Sequence, residues 1–233
     1  MRNINSTSVV IVCYPNWGGG KFLINCLGLS KDCYLQHIKC VQKQRNDSLL
    51  PDNKLNLLLE RLNQTQTKWK DLELGCFQLF RDPHNEKFFY SLIDRISHED
   101  KLFFLVAHSV HDVKVSVSIW PNSKKILLKN TNGFMNWRLG IPQDFDRHSV
   151  PGLSQDFTQE QQQEIIDIVG EFLEWDVDWY FDKKKCMTEL QKLYANLGLV
   201  DFDEGLVGTF YDAYMEKINE IKNFQQNKHD TAD

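Results

Sequence analysis

The sequence SVVIVCYPNWGGGKF, residues 8–22, decides the fold class. It begins with a nearly continuous run of β-branched residues, which is typical of a buried strand in a parallel sheet. A loop with three adjacent glycines follows at residues 15–20. Residues 21–27, KFLINCL, then carry apolar side chains at the spacing of a helix. The chain is therefore predicted to open with a strand, a glycine-rich loop and a helix.

The glycine-rich loop has the composition of a phosphate-binding site. Glycines let successive backbone N–H groups converge, the start of a helix adds a partial positive charge, and Lys21 adds a full one. A tight turn whose glycines serve only packing is the alternative interpretation. The residues predicted to contact the ligand are Pro15, Asn16, Trp17, Gly18, Gly19, Gly20, Lys21 and Phe22.

The loop differs from the P-loop of ATP- and GTP-binding proteins. That loop has the pattern GxxxxGK followed by Ser or Thr, whose hydroxyl holds Mg²⁺. Here Phe22 follows Lys21, and Pro15 stands where the first glycine would be. The pattern favours a phosphate loop that works without a metal ion. A Mg²⁺-dependent nucleotide kinase, or another NTP-using enzyme on the same fold, is the second hypothesis.

Further strands and helices alternate along the first 140 residues. Residues 102–107 and 125–129 are predicted to form buried strands, and residues 54–62 an amphipathic helix. Residues 110–117 are ambiguous, with a short helix as one interpretation. Alternation of this kind predicts an α/β fold with a three-layer, P-loop-like parallel sheet flanked by helices.

The C-terminal part is predicted to be mainly helical. Thr158 and Gln161 have the spacing of a capping box, which would begin a helix that extends to about Trp175. Asp182 is predicted to cap a helix over residues 183–197, and Asp203 one over residues 204–223.

Length and composition predict one globular domain. The chain has 233 residues, of which 42% are hydrophobic and 25% are charged. These values are ordinary for a folded protein with one sizeable core and exclude a wholly disordered chain. We place the domain at residues 1–223, with its helical part over about 154–223. The polar residues 224–233 are predicted to form a flexible tail.

Charge and apolar patterning narrow the partners and the compartment. The chain has 27 Lys and Arg residues and 32 Asp and Glu residues, and no nucleic-acid partner is expected because such binding needs a basic face. No apolar stretch reaches the ~18–20 residues of a membrane span. The run Val9–Cys13 is too short for a signal peptide. Six cysteines without a CxxC pair fit a reducing compartment and predict no metal site, so we expect a cytoplasmic protein.

Two further groups of polar residues follow predicted strands. His108 comes directly after the second strand, where the carboxyl ends of parallel strands line a ligand crevice. It could act there as a general base toward a hydroxyl, or it could be structural. Lys129 ends the third strand, and Arg138 lies in a helix predicted over residues 133–139. These cations could hold a second phosphate, or they could simply be solvated.

These segments together resemble the sulfotransferase family, in particular its divergent bacterial and phage members. The resemblance is carried by YPNWGGGK at residues 14–21, by Ala107-His108, and by WPNSKKILLKN at residues 120–130. In the family, a Tyr-Pro loop binds the 5′-phosphosulfate end of 3′-phosphoadenosine 5′-phosphosulfate (PAPS). A later histidine is the catalytic base, and a third strand leads into Arg-Asn near the 3′-phosphate.

The resemblance implies a metal-independent enzyme that transfers a sulfuryl group from PAPS to an acceptor hydroxyl or amine. It implies catalytic roles for His108 and Lys21, with Lys129 and Arg138 at the 3′-phosphate. The chain departs from the family pattern at Asn16, where the family has lysine, and at Lys129, where it has arginine. A non-catalytic binding protein that keeps the fold is the third hypothesis.

Overall fold

A computed structural model describes residues 8–14, 19–35, 50–64, 101–129 and 158–230. Its strands are β1 (Val9–Cys13), β2 (Phe103–Ala107), β3 (Lys124–Lys129) and β4 (Leu173–Asp176). Its helices are α1 (Gly20–Gly28), α2 (Pro51–Gln64), α3 (Val110–Ile119), α4 (Gln159–Val169), α5 (Lys183–Leu197) and α6 (Glu204–Asp230), with a 3₁₀ turn at Val177–Phe181. The chain is thus an α/β protein, as predicted.

The strands form one parallel sheet in the order β2-β1-β3-β4. Successive side chains of a strand point to opposite faces, and β1 is buried on both. Val10 and Val12 pack with side chains of α1, α2, α5 and α6, whereas Ile11 and Cys13 pack with side chains of α3 and α4. Burial on two faces is the reason that β1 reads as a continuous apolar run rather than an alternating one.

Most element predictions within the described residues are confirmed. The predicted strands match β1, β2 and β3, and the ambiguous segment at residues 110–117 is helix α3. Thr158 and Gln161 form the predicted capping box. Asp182 accepts a hydrogen bond from the Lys185 amide at 3.0 Å and so caps α5, as predicted. The helix predicted over residues 133–139, which includes Arg138, lies outside the described residues.

The C-terminal part differs from the prediction in two places. The helix expected to reach Trp175 ends at Val169, because Gly170 follows with φ 67°. Residues Leu173–Asp176 then pair with β3 as a fourth strand, so this part is not helical throughout. The last helix continues to Asp230 instead of ending near residue 223. No helix in the described part of the chain has the length and apolar character needed to cross a bilayer.

Helix α1, which follows the glycine-rich loop, is anchored at its C-terminal end. The buried Tyr194 hydroxyl donates a 2.7 Å hydrogen bond to the Cys26 carbonyl. Just beyond the helix, the carboxylate of Asp201 accepts bonds from the Ser30 hydroxyl at 2.6 Å and from the Lys31 amide at 2.7 Å. These bonds connect α1 to α5 and to the segment after it.

A buried lysine from α2 holds the same region. The ammonium group of Lys54, which is 3% exposed, donates to the carbonyls of Ser30 and Cys33. Burial lowers the pKa of Lys54 from 10.5 to about 8. A neutral amine still has two N–H groups, so both carbonyls keep a donor when the proton is lost.

Replacing this lysine should change how stability depends on pH. Between pH 8 and 10.5 the unfolded chain holds the Lys54 proton more tightly than the folded chain, so the lysine's contribution to stability rises with pH. From pH 7 to pH 10 we expect wild type to gain about 2 kcal/mol of unfolding free energy relative to Lys54→Met, at about 1.4 kcal/mol per pKa unit.

Urea denaturation of both proteins at each pH measures this difference. Burial raises the pKa of Cys13 and Cys33 to about 12, which lowers stability above pH 9. Lys54 lowers the pKa of Cys33, but at pH 10 both thiols are still protonated in either folded protein, so this contribution cancels in the comparison. Parallel pH profiles for wild type and variant would contradict the expectation.

Candidate active site

Parallel strands bring the ends of β1, β2 and β3 to one edge of the sheet. Cys13 is in register with Ala107 of β2 and with Leu127 of β3. Tyr14 and His108 are therefore the first residues beyond two neighbouring strands, and Lys129 lies two positions beyond Leu127 on the third. This edge is where ligands bind in open α/β sheets, and it forms the candidate site.

A hydrogen bond joins the predicted base to the start of the glycine-rich loop. His108 Nδ1 lies 3.0 Å from the carbonyl oxygen of Tyr14. Because a carbonyl only accepts, Nδ1 must carry the proton, and Nε2 of the neutral ring is then the basic nitrogen. The two rings also meet edge-on, with centroids 4.6 Å apart. The histidine is half-buried, as a base reached by a substrate requires.

Helix α3 holds the backbone of His108 in place. The His108 amide donates to a carboxylate oxygen of Asp112 at 3.1 Å, and the Asp112 amide donates to the Ser109 hydroxyl at 3.1 Å. Ser109 and Asp112 thus cap the helix and fix the residue at the end of β2 together. Spacing alone did not reveal this role for Asp112.

Two tyrosine rings enclose the two described glycines of the loop. A Cβ atom on Gly20 would overlap the ring of Tyr14. Gly19 has φ 72°, and a Cβ atom there would come within 2.8 Å of Cε2 of Tyr180. Packing therefore requires glycine at both positions, as the tight-turn interpretation holds. The anion-binding interpretation depends instead on the start of α1.

The N-terminus of α1 differs from those of α3, α4, α5 and α6. No described side chain caps it, and its first turn has no acidic residue. Each of α3, α4, α5 and α6, by contrast, begins with a side-chain cap. These caps are Ser109, Thr158, Asp182 and Asp203. Lys21, half-buried, is the second residue of α1. The helix therefore begins with a lysine and with backbone amides that no side chain of the described residues caps, and both features suit an anion.

Phe22 lies in the core and not on the loop surface. Its side chain is 1% exposed and packs against Tyr180 and Tyr214, with ring centroids at 4.9 and 4.8 Å. Its amide donates to the Gly19 carbonyl at 3.1 Å. The ring and the amide of Phe22 thus both have partners within the protein. These contacts favour a packing role for Phe22 over contact with a ligand.

Lys129 pairs with an acidic residue of the neighbouring strand. Its ammonium group lies 2.5 Å from a carboxylate oxygen of Glu174, and both side chains are about half exposed. An exposed pair of this kind contributes little to stability. A phosphate at Lys129 would have to compete with Glu174. Nothing in the sequence indicated this pair, because the segment that forms β4 was predicted as helix.

The remaining predicted ligand residues cannot be placed. Pro15, Asn16, Trp17 and Gly18 lie outside the described residues, as does Arg138. The structure therefore brings Gly19, Gly20 and Lys21 into one turn and joins His108 to the residue before the loop. The contacts of Tyr14 with His108 and of Tyr180 with Gly19 join residues 94 and 161 positions apart, and no signal in the sequence indicated them.

Comparison of the chain with protein-family models, with curated proteins and with solved structures gives no match.

The glycine packing can be tested against a glycine that has the same backbone but no neighbour. Gly198 has φ 82° and nothing within 4 Å of an added Cβ atom. Gly198→Ala should cost about 1–2 kcal/mol of unfolding free energy, the cost of a left-handed backbone. Gly19→Ala should cost about 1–3 kcal/mol more, because the methyl group meets Tyr180. Chemical denaturation measures both, and equal losses would show that the tyrosine contact is unimportant.

Proposed function

We propose that the protein is a sulfotransferase-like enzyme on a three-layer, P-loop-like α/β fold. It would transfer a sulfuryl group from PAPS to an acceptor hydroxyl or amine. The observation that carries the proposal is the hydrogen bond from His108 Nδ1 to the Tyr14 carbonyl. This bond would give a base with a defined tautomer next to a glycine-rich loop, and no described side chain caps the helix that follows the loop.

The start of α1 would bind the 5′-phosphosulfate end of the donor. Its support is the combination of a left-handed Gly19, a first turn without acidic residues, and Lys21 within that turn. In the proposed reaction the bond between sulfur and the phosphate oxygen breaks, and negative charge grows on that oxygen. Lys21 and the amides at the helix start would stabilise this charge.

His108 would accept the proton of the acceptor group as its oxygen or nitrogen forms the bond to sulfur. The Tyr14 carbonyl holds Nδ1–H and so leaves Nε2 as the proton acceptor. Lys129 would contact the 3′-phosphate, together with Arg138. For Lys129, the support is its position at the same sheet edge as His108.

Donor binding is tested with adenosine 3′,5′-bisphosphate, the product left after sulfuryl transfer. We expect binding by isothermal titration calorimetry that does not change when EDTA replaces Mg²⁺. Lys21→Ala should weaken it by about tenfold to a hundredfold, because a charge-assisted hydrogen bond contributes about 1.5–3 kcal/mol.

Lys184→Ala is the matched control. Lys184 is also the second residue of a helix, but it is exposed and Asp182 caps that helix. Its loss should leave the affinity within about twofold of wild type, a margin well below one hydrogen bond. Absence of binding by wild type, or equal losses in the two variants, would remove the proposal. Binding that requires Mg²⁺ would favour the nucleotide-kinase alternative.

A non-catalytic binding protein is the second candidate. The observation that favours it is the same hydrogen bond, because a structural histidine also bonds to a backbone carbonyl. The two candidates differ in what His108 does to a bound acceptor.

His108→Ala should separate these candidates. If His108 is the base, the variant should lose about 10²–10⁴-fold in sulfuryl transfer while it binds adenosine 3′,5′-bisphosphate as well as wild type does. Transfer is measured with ³⁵S-labelled PAPS and a panel of phenols, alcohols and amines. Binding of the nucleotide without transfer to any acceptor by wild type would favour the non-catalytic protein.

A further inference from the structure

The 3₁₀ turn from the C-terminal part of the chain contacts the glycine-rich loop directly. The hydroxyl of Tyr180 donates a 3.0 Å hydrogen bond to the carbonyl oxygen of Gly19. The edge of its ring fills the space where a Cβ atom of Gly19 would lie. Tyr180 is 1% exposed and 161 residues away in sequence, so this contact exists only in the folded protein.

We infer that Tyr180 is a positioning residue, which orients the first peptide of α1 so that its N–H faces the donor phosphate. This inference rests on the proposed function for the identity of the ligand. The effect of Tyr180 on the conformation at Gly19 does not depend on the proposed function.

The orientation follows from the geometry of a trans peptide. The C=O and N–H groups of one peptide point in opposite directions, and the described chain has no cis peptide. The Gly19 carbonyl accepts from the Phe22 amide at 3.1 Å and from the Tyr180 hydroxyl. The carbonyl therefore points into the helix and toward Tyr180, and the Gly20 N–H must point out of the helix start, where an anion would bind.

One feature keeps the Tyr180 hydroxyl protonated, and another holds the residue in position. Its burial raises its pKa well above the ordinary value, so it stays protonated across the working pH range. The backbone of Tyr180 is held as well, since the Tyr211 hydroxyl on α6 donates a 2.6 Å bond to its carbonyl. Helix α6 thus supports the residue that sets the loop.

The chain offers a matched control for this role. Tyr194 also donates from a buried hydroxyl to a carbonyl of α1, but at Cys26, near the other end of the helix. A merely structural role predicts that Tyr180→Phe and Tyr194→Phe behave alike. A positioning role predicts that only Tyr180→Phe affects the start of α1.

The experiment measures two properties of wild type and both variants. The first is the affinity for adenosine 3′,5′-bisphosphate, expected to fall about tenfold in Tyr180→Phe, as for loss of one hydrogen bond, and to stay unchanged in Tyr194→Phe. The second is amide hydrogen exchange at Phe22 by NMR without ligand. It should be faster in Tyr180→Phe only, because the Gly19 carbonyl that Phe22 donates to is less constrained.

The outcomes separate this inference from the proposed function. Selective effects of Tyr180→Phe on both affinity and exchange support the two together. If wild type binds no bisphosphate but exchange at Phe22 still changes only in Tyr180→Phe, the positioning role stands and the proposed function fails. Unchanged exchange at Phe22 in Tyr180→Phe, or equal changes in the two variants, overturns the positioning role.

Discussion

The candidate site depends on how closely the ring of Tyr14 packs against the backbone of Gly20. That contact leaves no room for a side chain and brings the start of α1 against the end of β1. The Tyr14 carbonyl also accepts a hydrogen bond from Nδ1–H of His108. Tyr14 thus contacts both the start of α1 and the ring of His108, and so connects the two parts of the candidate site.

The second constraint comes from the opposite end of the sequence. Tyr180 fills the space beside Gly19 and bonds to its carbonyl, and Tyr211 bonds to Tyr180 in turn. Phe22 packs into the same aromatic group. The C-terminal part of the chain therefore does more than cover the sheet, because it also contacts Gly19 immediately before α1. Aromatic rings suit this function because they are rigid, and the tyrosine hydroxyls donate additional hydrogen bonds to backbone carbonyls.

Local patterns predicted most of the described elements. The β-branched run of β1 and the cap residues Thr158 and Asp182 depend on near neighbours in sequence, and each was read correctly. The prediction failed at residues 170–176, where the apolar positions of a short edge strand resemble the continuation of a helix. The helix ends at Gly170, which has a positive φ, and residues 173–176 form a strand because they pair with β3. Pairing partners are distant in sequence, and a helical period gives no information about them.

The sequence alone predicted the α/β class of fold, because strand, loop and helix signals are local. It also predicted Lys21 and His108 as candidate site residues, from their positions beside the glycine-rich loop and at a strand end. The folded structure alone decided strand order, the tautomer of His108, the packing of Phe22 and the pairing of Lys129 with Glu174. Each of these is a contact between segments tens of residues apart or more. Such contacts arise from the mutual packing of whole elements, and no short stretch of the chain encodes them by itself.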